Sequence, residues 1–214
     1  MNYKNIIKHY EECLNKYGDT HLGVDWPKKE DVDVRYNIML GLIKMRQKLT
    51  SSATLLDFGC GAAHLYDYMQ RMNLNNISYS GLDISRKFID LSKKKHPGNK
   101  FYCLDILKNQ KSLPSFDYII MNGVFTEKVD LNFDQMFGYL KEMLKVVFEK
   151  ANIGVAFNVM STAVEWERED LFHLSKDQLV NFLIKDLTRN FVIRNDYGLY
   201  EYTIYIYKEK CQKL

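Results

Sequence analysis

A chain of 214 residues, 46% hydrophobic and 27% charged, is long enough to bury one sizeable core and has the balance of an ordinary globular domain. Its net charge of +3 is too small to suggest a nucleic-acid groove, and the one tight basic run, Lys93-Lys94-Lys95, reads as a solvated helix end. No stretch approaches the ~18 apolar residues of a membrane span, and the N-terminal residues lack a leader's apolar core and cleavage site, so the expected compartment is the cytoplasm.

Taken in chain order, Ile6, Ile7, Tyr10 and Leu14 share one face of a helix predicted over residues 3–16. A turn-rich stretch, 17–30, holds His21, Gly23, Trp26 and Pro27. An amphipathic helix is predicted over 34–49, through Ile38, Met39, Leu42, Ile43 and Met45. Strands are then predicted over 54–58, 77–82, 101–104, 118–121, 154–159, 191–194 and 200–207, with helices over 63–72, 86–95 and 133–150. Short apolar strands alternating with helices argue for a parallel sheet covered on both faces. Ser175-Lys176-Asp177-Gln178 has the form of a capping box and opens a helix through Leu179, Phe182 and Leu183.

The short connection Asn195-Asp196-Tyr197-Gly198-Leu199 makes the last two strands an antiparallel hairpin. The tyrosine-rich final strand is either a sheet edge that pairs or one that is covered, and the oligomeric state stays open. The expected architecture is α/β. It is a Rossmann-like, mostly parallel, seven-stranded sheet ending in an antiparallel hairpin, with a helical cap over residues 1–50 and the main domain over 51–214. Cys13, Cys60, Cys103 and Cys211 stand far apart without a CxxC pair, which predicts neither a disulfide framework nor a metal site.

Chemistry concentrates in Leu55-Leu56-Asp57-Phe58-Gly59-Cys60-Gly61-Ala62-Ala63, which reads as a strand, a glycine turn and the start of a helix. Gly59 and Gly61 permit positive φ and close backbone approach to a ligand. Asp57 suits a hydrogen bond or a cationic group. Asp83 ends the next strand, where a carboxylate accepts from both hydroxyls of a ribose. Asp105 ends the third and is placed to take an exocyclic amine. NAD fits poorly, because His64 stands where its fingerprint wants a small residue and Asp57 repels phosphate.

These segments resemble the class I S-adenosylmethionine (SAM) dependent methyltransferases. Leu55 to Gly61 is similar to their first motif, Gly81-Leu82-Asp83-Ile84-Ser85 to the second, Leu104-Asp105 to the third and Phe116 to Phe125 to the fourth. Ala63 departs from the third glycine of many members, at a position where a helix is expected to have begun. Gly23-Val24-Asp25-Trp26, Asn122-Gly123-Val124-Phe125 and the segment from Arg194 to Glu201 further resemble a bacterial branch of small methyltransferases of mostly undefined substrate.

The resemblance implies SAM as cofactor and S-adenosylhomocysteine (SAH) as product. It places Asp57, Gly59 and Gly61 along the methionine moiety, Asp83 on the ribose, and Ile84, Asp105 and Ile106 at the adenine. Asn122 faces the sulfonium or the acceptor. Trp26 and Arg35 close the pocket, the arginine pairing with the methionine carboxylate. Candidate bases are His21, His173 and Glu127, with Asn122 beside the reacting atoms. The expected reaction is methyl transfer to a small polar molecule, at oxygen. Transfer to nitrogen or carbon, a non-catalytic SAM-binding module, and an NAD oxidoreductase are the alternatives. Met121-Asn122-Gly123-Val124 lacks the Pro-Pro-aromatic loop of enzymes that methylate nucleic-acid amines, so no nucleic-acid partner is expected, while protein acceptors stay open. Without an apolar span no membrane partner is expected either.

Overall fold

The computed structural model describes residues 3–209, so Cys211 lies outside the described residues. Its elements are α1 (Lys4–Tyr17), α2 (Glu30–Lys44), β1 (Ala53–Phe58), α3 (His64–Arg71), β2 (Ile77–Asp83), α4 (Arg86–Lys95), β3 (Lys100–Cys103), β4 (Phe116–Met121), α5 (Phe133–Lys150), β5 (Ala151–Ser161), β6 (His173–Leu174), α6 (Lys176–Asp186), β7 (Phe191–Arg194) and β8 (Glu201–Tyr207). A 3-10 turn, His21–Val24, follows α1, and a second, Gln110–Ser112, precedes β4. One sheet runs in the order β3-β2-β1-β4-β5-β8-β7, with β6 paired to the end of β5. It therefore has eight strands rather than the expected seven; the extra one, two residues long, is too short to carry a periodic signal.

Period-two alternation divides the core between the two faces of the sheet. Leu56, Ile119, Met121, Val155 and Phe157 pack with α5 and α6 on one side. Leu55, Tyr118, Ile120 and Ala156 pack with α2, α3 and α4 on the other. Burial on both faces explains why the central strands read as continuous apolar runs. Met39, Leu42 and Ile43 of α2 are fully buried, so this helix belongs to the core layer.

Strand β8 is an interior strand, antiparallel to both β5 and β7. Its tyrosines are covered because their hydroxyls have partners. Tyr205 donates to the Ile38 carbonyl, and Tyr207 donates to the Leu42 carbonyl at 3.0 Å.

Three local expectations change. Helix α3 begins at His64, and Ala63 before it is left-handed at φ 58°, the conformation a glycine adopts without strain. The complete capping box belongs to Asn132 and Gln135 at α5; at Ser175 only the forward half forms, since its hydroxyl donates to the Gln178 side chain. Lys93 and Lys94 are exposed, but Lys95 bridges Asp19 at 3.0 Å and Asp67 at 2.9 Å, tying the loop after α1 to α3. Among the described residues no helix is long and apolar enough to cross a membrane.

Candidate active site

The strand order reverses between β1 and its neighbours β2 and β4, which opens a crevice at the strands' C-terminal ends. A cavity of about 160 Å³ lies there. Its floor is the turn after β1. Gly59 and Gly61 adopt φ 74° and 49°, and the Gly59 and Cys60 N–H groups donate to the Leu82 carbonyl at 2.8 and 2.9 Å. A Cβ at Gly59 would stand 2.8 Å from the Val124 side chain, in a conformation that L-residues avoid.

Three carboxyls line the cavity. Asp57 is buried and accepts from the Tyr79 hydroxyl at 2.8 Å. Burial pushes its carboxyl up to about 7, against the Tyr79 hydrogen bond and with the Asp83 charge adding to the rise. Asp83 accepts from the Gly61 N–H at 2.9 Å and the Ser85 N–H at 2.8 Å, so it closes the glycine turn onto the start of α4. Burial lifts it to about 6 despite those donors. Asp105 accepts from the Tyr3 hydroxyl at 2.5 Å and pairs with Lys108 at 2.8 Å. Burial opposes ionisation there, but Lys108 and Tyr3 hold the carboxyl below the usual range.

Tyr79→Phe leaves Asp57 without its hydroxyl donor in a dry site. The expected result is a loss of about 1–3 kcal/mol, read from the urea midpoint at unchanged slope.

The fourth wall carries Asn122 and Gly123. The Asn122 side-chain oxygen and nitrogen are sealed from solvent and have no partner, although the residue lines the cavity. Its loop is held from behind: the Gly123 N–H donates to Asn158 Oδ1 at 2.8 Å, and Asn158 Nδ2 donates to Glu201 Oε1 at 3.0 Å. Glu201 accepts in turn from Arg35 Nε at 3.0 Å, and the Arg35 guanidinium lies 5.3 Å from the Trp26 ring centroid.

The N-terminal helix covers the opening. Tyr3, Ile6, Ile7 and Tyr10 of α1 line the cavity. Tyr10 donates to the Gly123 carbonyl at 3.3 Å, and Glu11 accepts from the Ser85 hydroxyl at 2.6 Å. Asp19 beyond α1 meets His64 at 2.7 Å.

The fold thus brings Asp57, Gly59, Gly61, Asp83, Ile84, Asp105, Ile106, Asn122 and Trp26 to one cavity. It does not bring Arg35, whose charge is spent on Glu201. His21 and His173 also stay out of the lining. His21 Nδ1 lies 2.6 Å from the Trp26 carbonyl, and both ring nitrogens of His173 are engaged, by the Ser161 carbonyl and the Arg168 N–H. Glu127 is buried outside the lining, its carboxyl raised to about 7 by burial and then by the Asp25 and Asp170 charges. Sequence reasoning missed Tyr3, Tyr10, Tyr36 and Ser85 as wall residues. The apolar stripe of α1 was the available signal for the first two, but a stripe does not say which surface it covers.

Residues 56–147 match the family model described as a methyltransferase domain. Over those residues the chain is similar to the Rossmann-like methyltransferases. Rv1506c of Mycobacterium tuberculosis, a protein whose name assigns it to the methyltransferases, is 22% identical over 157 residues, covering 71% of this chain and 91% of that one. In fold the domain is similar to the magnesium protoporphyrin IX methyltransferase ChlM from Synechocystis PCC 6803, solved with bound SAM. The TM-score is 0.64 at 14% identity, over 98% of each chain. It is also similar to the plantazolicin methyltransferase BamL, solved with a triazolic desmethyl analogue and SAH, with a TM-score of 0.63 at 13% identity over 96% of this chain and 99% of that one.

Proposed function

We propose that this methyltransferase takes its methyl group from SAM and transfers it to an oxygen of a small polar molecule, in the cytoplasm. The observation that carries the cofactor reading is the charge of the cavity: three carboxyls and no lysine or arginine among the described residues of its lining. Such a wall favours a cationic nucleoside and repels a pyrophosphate, which sets SAM above NAD. The residues present fit the group, because Asn122 offers an unpartnered donor and acceptor and the glycine turn leaves room for a close backbone approach.

When bound, SAM supplies an electrophilic methyl group on a sulfonium. The chain's own residues do the rest. Asp83 would hold the ribose hydroxyls, Asp105 and Ile84 the adenine, and Asp57 with Gly59 the methionine end. Asn122 would orient the acceptor, while α1 and Trp26 exclude water from the transfer. In-line alignment in a dry site supplies most of what methyl transfer needs. The Asn122-Gly123-Val124 loop supports oxygen over an exocyclic amine as acceptor. The test is incubation with methyl-labelled SAM and a panel of small hydroxy, carboxy, amino and thiol compounds, with products placed by mass spectrometry. A methyl ether or ester supports the reading; a methyl on nitrogen or carbon replaces it.

The raised carboxyls make binding depend on pH. Asp57 and Asp83, at about 7 and 6, ionise later in the fold than in the unfolded chain, where an aspartate titrates near ~3.9. Their contribution to stability is therefore fully present below pH ~4 and is lost as pH rises through 6 and 7. Asp57 alone amounts to something on the order of 4 kcal/mol. The ligand-free protein is expected to melt higher near pH 5 than at pH 8. SAM, whose net positive charge favours the ionised pair, is expected to bind at least about tenfold more tightly at pH 8 than at pH 5, one decade being 1.4 kcal/mol. Calorimetry across that range checks both.

A further inference from the structure

We infer that His9, Cys13 and Asp25 form a binding site for a divalent zinc ion, which ties α1 to the loop that carries Trp26. His9 and Cys13 are four residues apart on α1, so they share a face. Asp25 follows the 3-10 turn and is fixed by an unusual backbone, φ 59° and ψ 36°, with its N–H donated to the Leu22 carbonyl at 3.1 Å.

Two donors converge on one nitrogen. Asp25 Oδ2 lies 2.7 Å from His9 Nε2, and Cys13 Sγ lies 3.9 Å from the same atom. All three ligand atoms fall within 4.8 Å of one another. Tetrahedral zinc with nitrogen, sulfur and oxygen ligands sets edges of about 3.6 Å for N to S and about 3.3 Å for N to O. Side-chain rotations that open the His9–Asp25 edge from 2.7 Å and draw Cys13 Sγ in from 3.9 Å convert the observed cluster into that triangle. The i,i+4 spacing on α1 carries Cys13 to the same nitrogen that Asp25 meets from the following loop.

The surroundings favour a cation. Asp25, Glu127 and Glu12 set negative charge against Cys13, and Lys16 sets positive charge against it. Buried Glu127 adds a carboxyl close by without lining the cofactor cavity. Ligation replaces the Cys13 thiol proton and any proton held between His9 and Asp25, both leaving to solvent, and it keeps the fourth position for water. Three ligands from two elements form a clamp, because α1 and Trp26 both wall the cavity. No local cysteine pair signals the site, since its third ligand arrives only through the fold.

The test uses the metal-stripped full chain, titrated calorimetrically with zinc and, in parallel, with cobalt(II) as the spectroscopic probe. One equivalent bound at micromolar or tighter Kd is expected, with a thiolate-to-cobalt charge-transfer band. Cys13→Ser is expected to abolish the band and weaken zinc binding at least about 100-fold, and Asp25→Asn to weaken it at least about tenfold, with both variants folded by circular dichroism. Absence of stoichiometric binding would overturn the inference. So would undiminished zinc binding in Cys13→Ser, which would put the ion elsewhere.

Discussion

Glu201→Ala is expected to destabilise the protein by about 3–5 kcal/mol, the range for breaking a buried ion pair by removing one partner. Glu201 is 3% exposed at the start of β8. Its carboxylate serves Arg35 at 3.0 Å and Asn158 at 3.0 Å, so deletion strands both donors at once. Among the described residues Arg35 has no second counter-ion to fall back on, and its Nη1 is sealed without a partner. The consequence extends to the site. Asn158 holds the Gly123 N–H, and Gly123, at φ 80°, sets the loop that presents Asn122. Glu201→Gln keeps an oxygen for Arg35 and is expected to retain part of the lost stability. Guanidinium unfolding of the pair measures this; equal stability of Glu201→Ala and the parent would mean that the relay is not formed.

Asp83→Ala is expected to act on both fold and ligand. Two backbone N–H groups, of Gly61 and Ser85, lose a charged acceptor in a buried site. Hydrogen bonds to charged groups contribute about 1.5–3 kcal/mol each, so a stability loss of about 2–4 kcal/mol follows once the relief of a buried carboxylate is set against them. SAM affinity is expected to fall further, by about 1–3 kcal/mol, because the acceptor assigned to the ribose is gone. Asp83→Asn separates the two effects. Its amide still offers an oxygen to one N–H, so folding recovers more than binding. Unchanged affinity in either variant would mean that the ribose does not contact this position.

Much of this arrangement is legible in the amino-acid order. The β1 turn and the acids at positions 57, 83 and 105 are local features, and local features carry strand and turn signals. Helices α4 and α5 begin and end as their periodicity predicts. Pairings across the chain are not legible in this way. Arg35 reads as free to meet a cofactor carboxylate until the fold delivers Glu201, which is 166 residues away. His173 reads as a base until Ser161 and Arg168 occupy its two nitrogens. Ala63 reads as helix because alanine is a good helix former, yet the glycine turn forces it left-handed. In each case a long-range partner or a turn overrides what the residue type suggests.

The central claim is that the carboxyl-lined cavity beneath α1 binds SAM. Calorimetric titration of the folded, ligand-free protein with SAM, SAH and NAD at pH 8 tests it most directly. Stoichiometric micromolar binding of SAM and SAH, with NAD silent, is the predicted result. Silence from both sulfur nucleosides, or binding of NAD in their place, would contradict it.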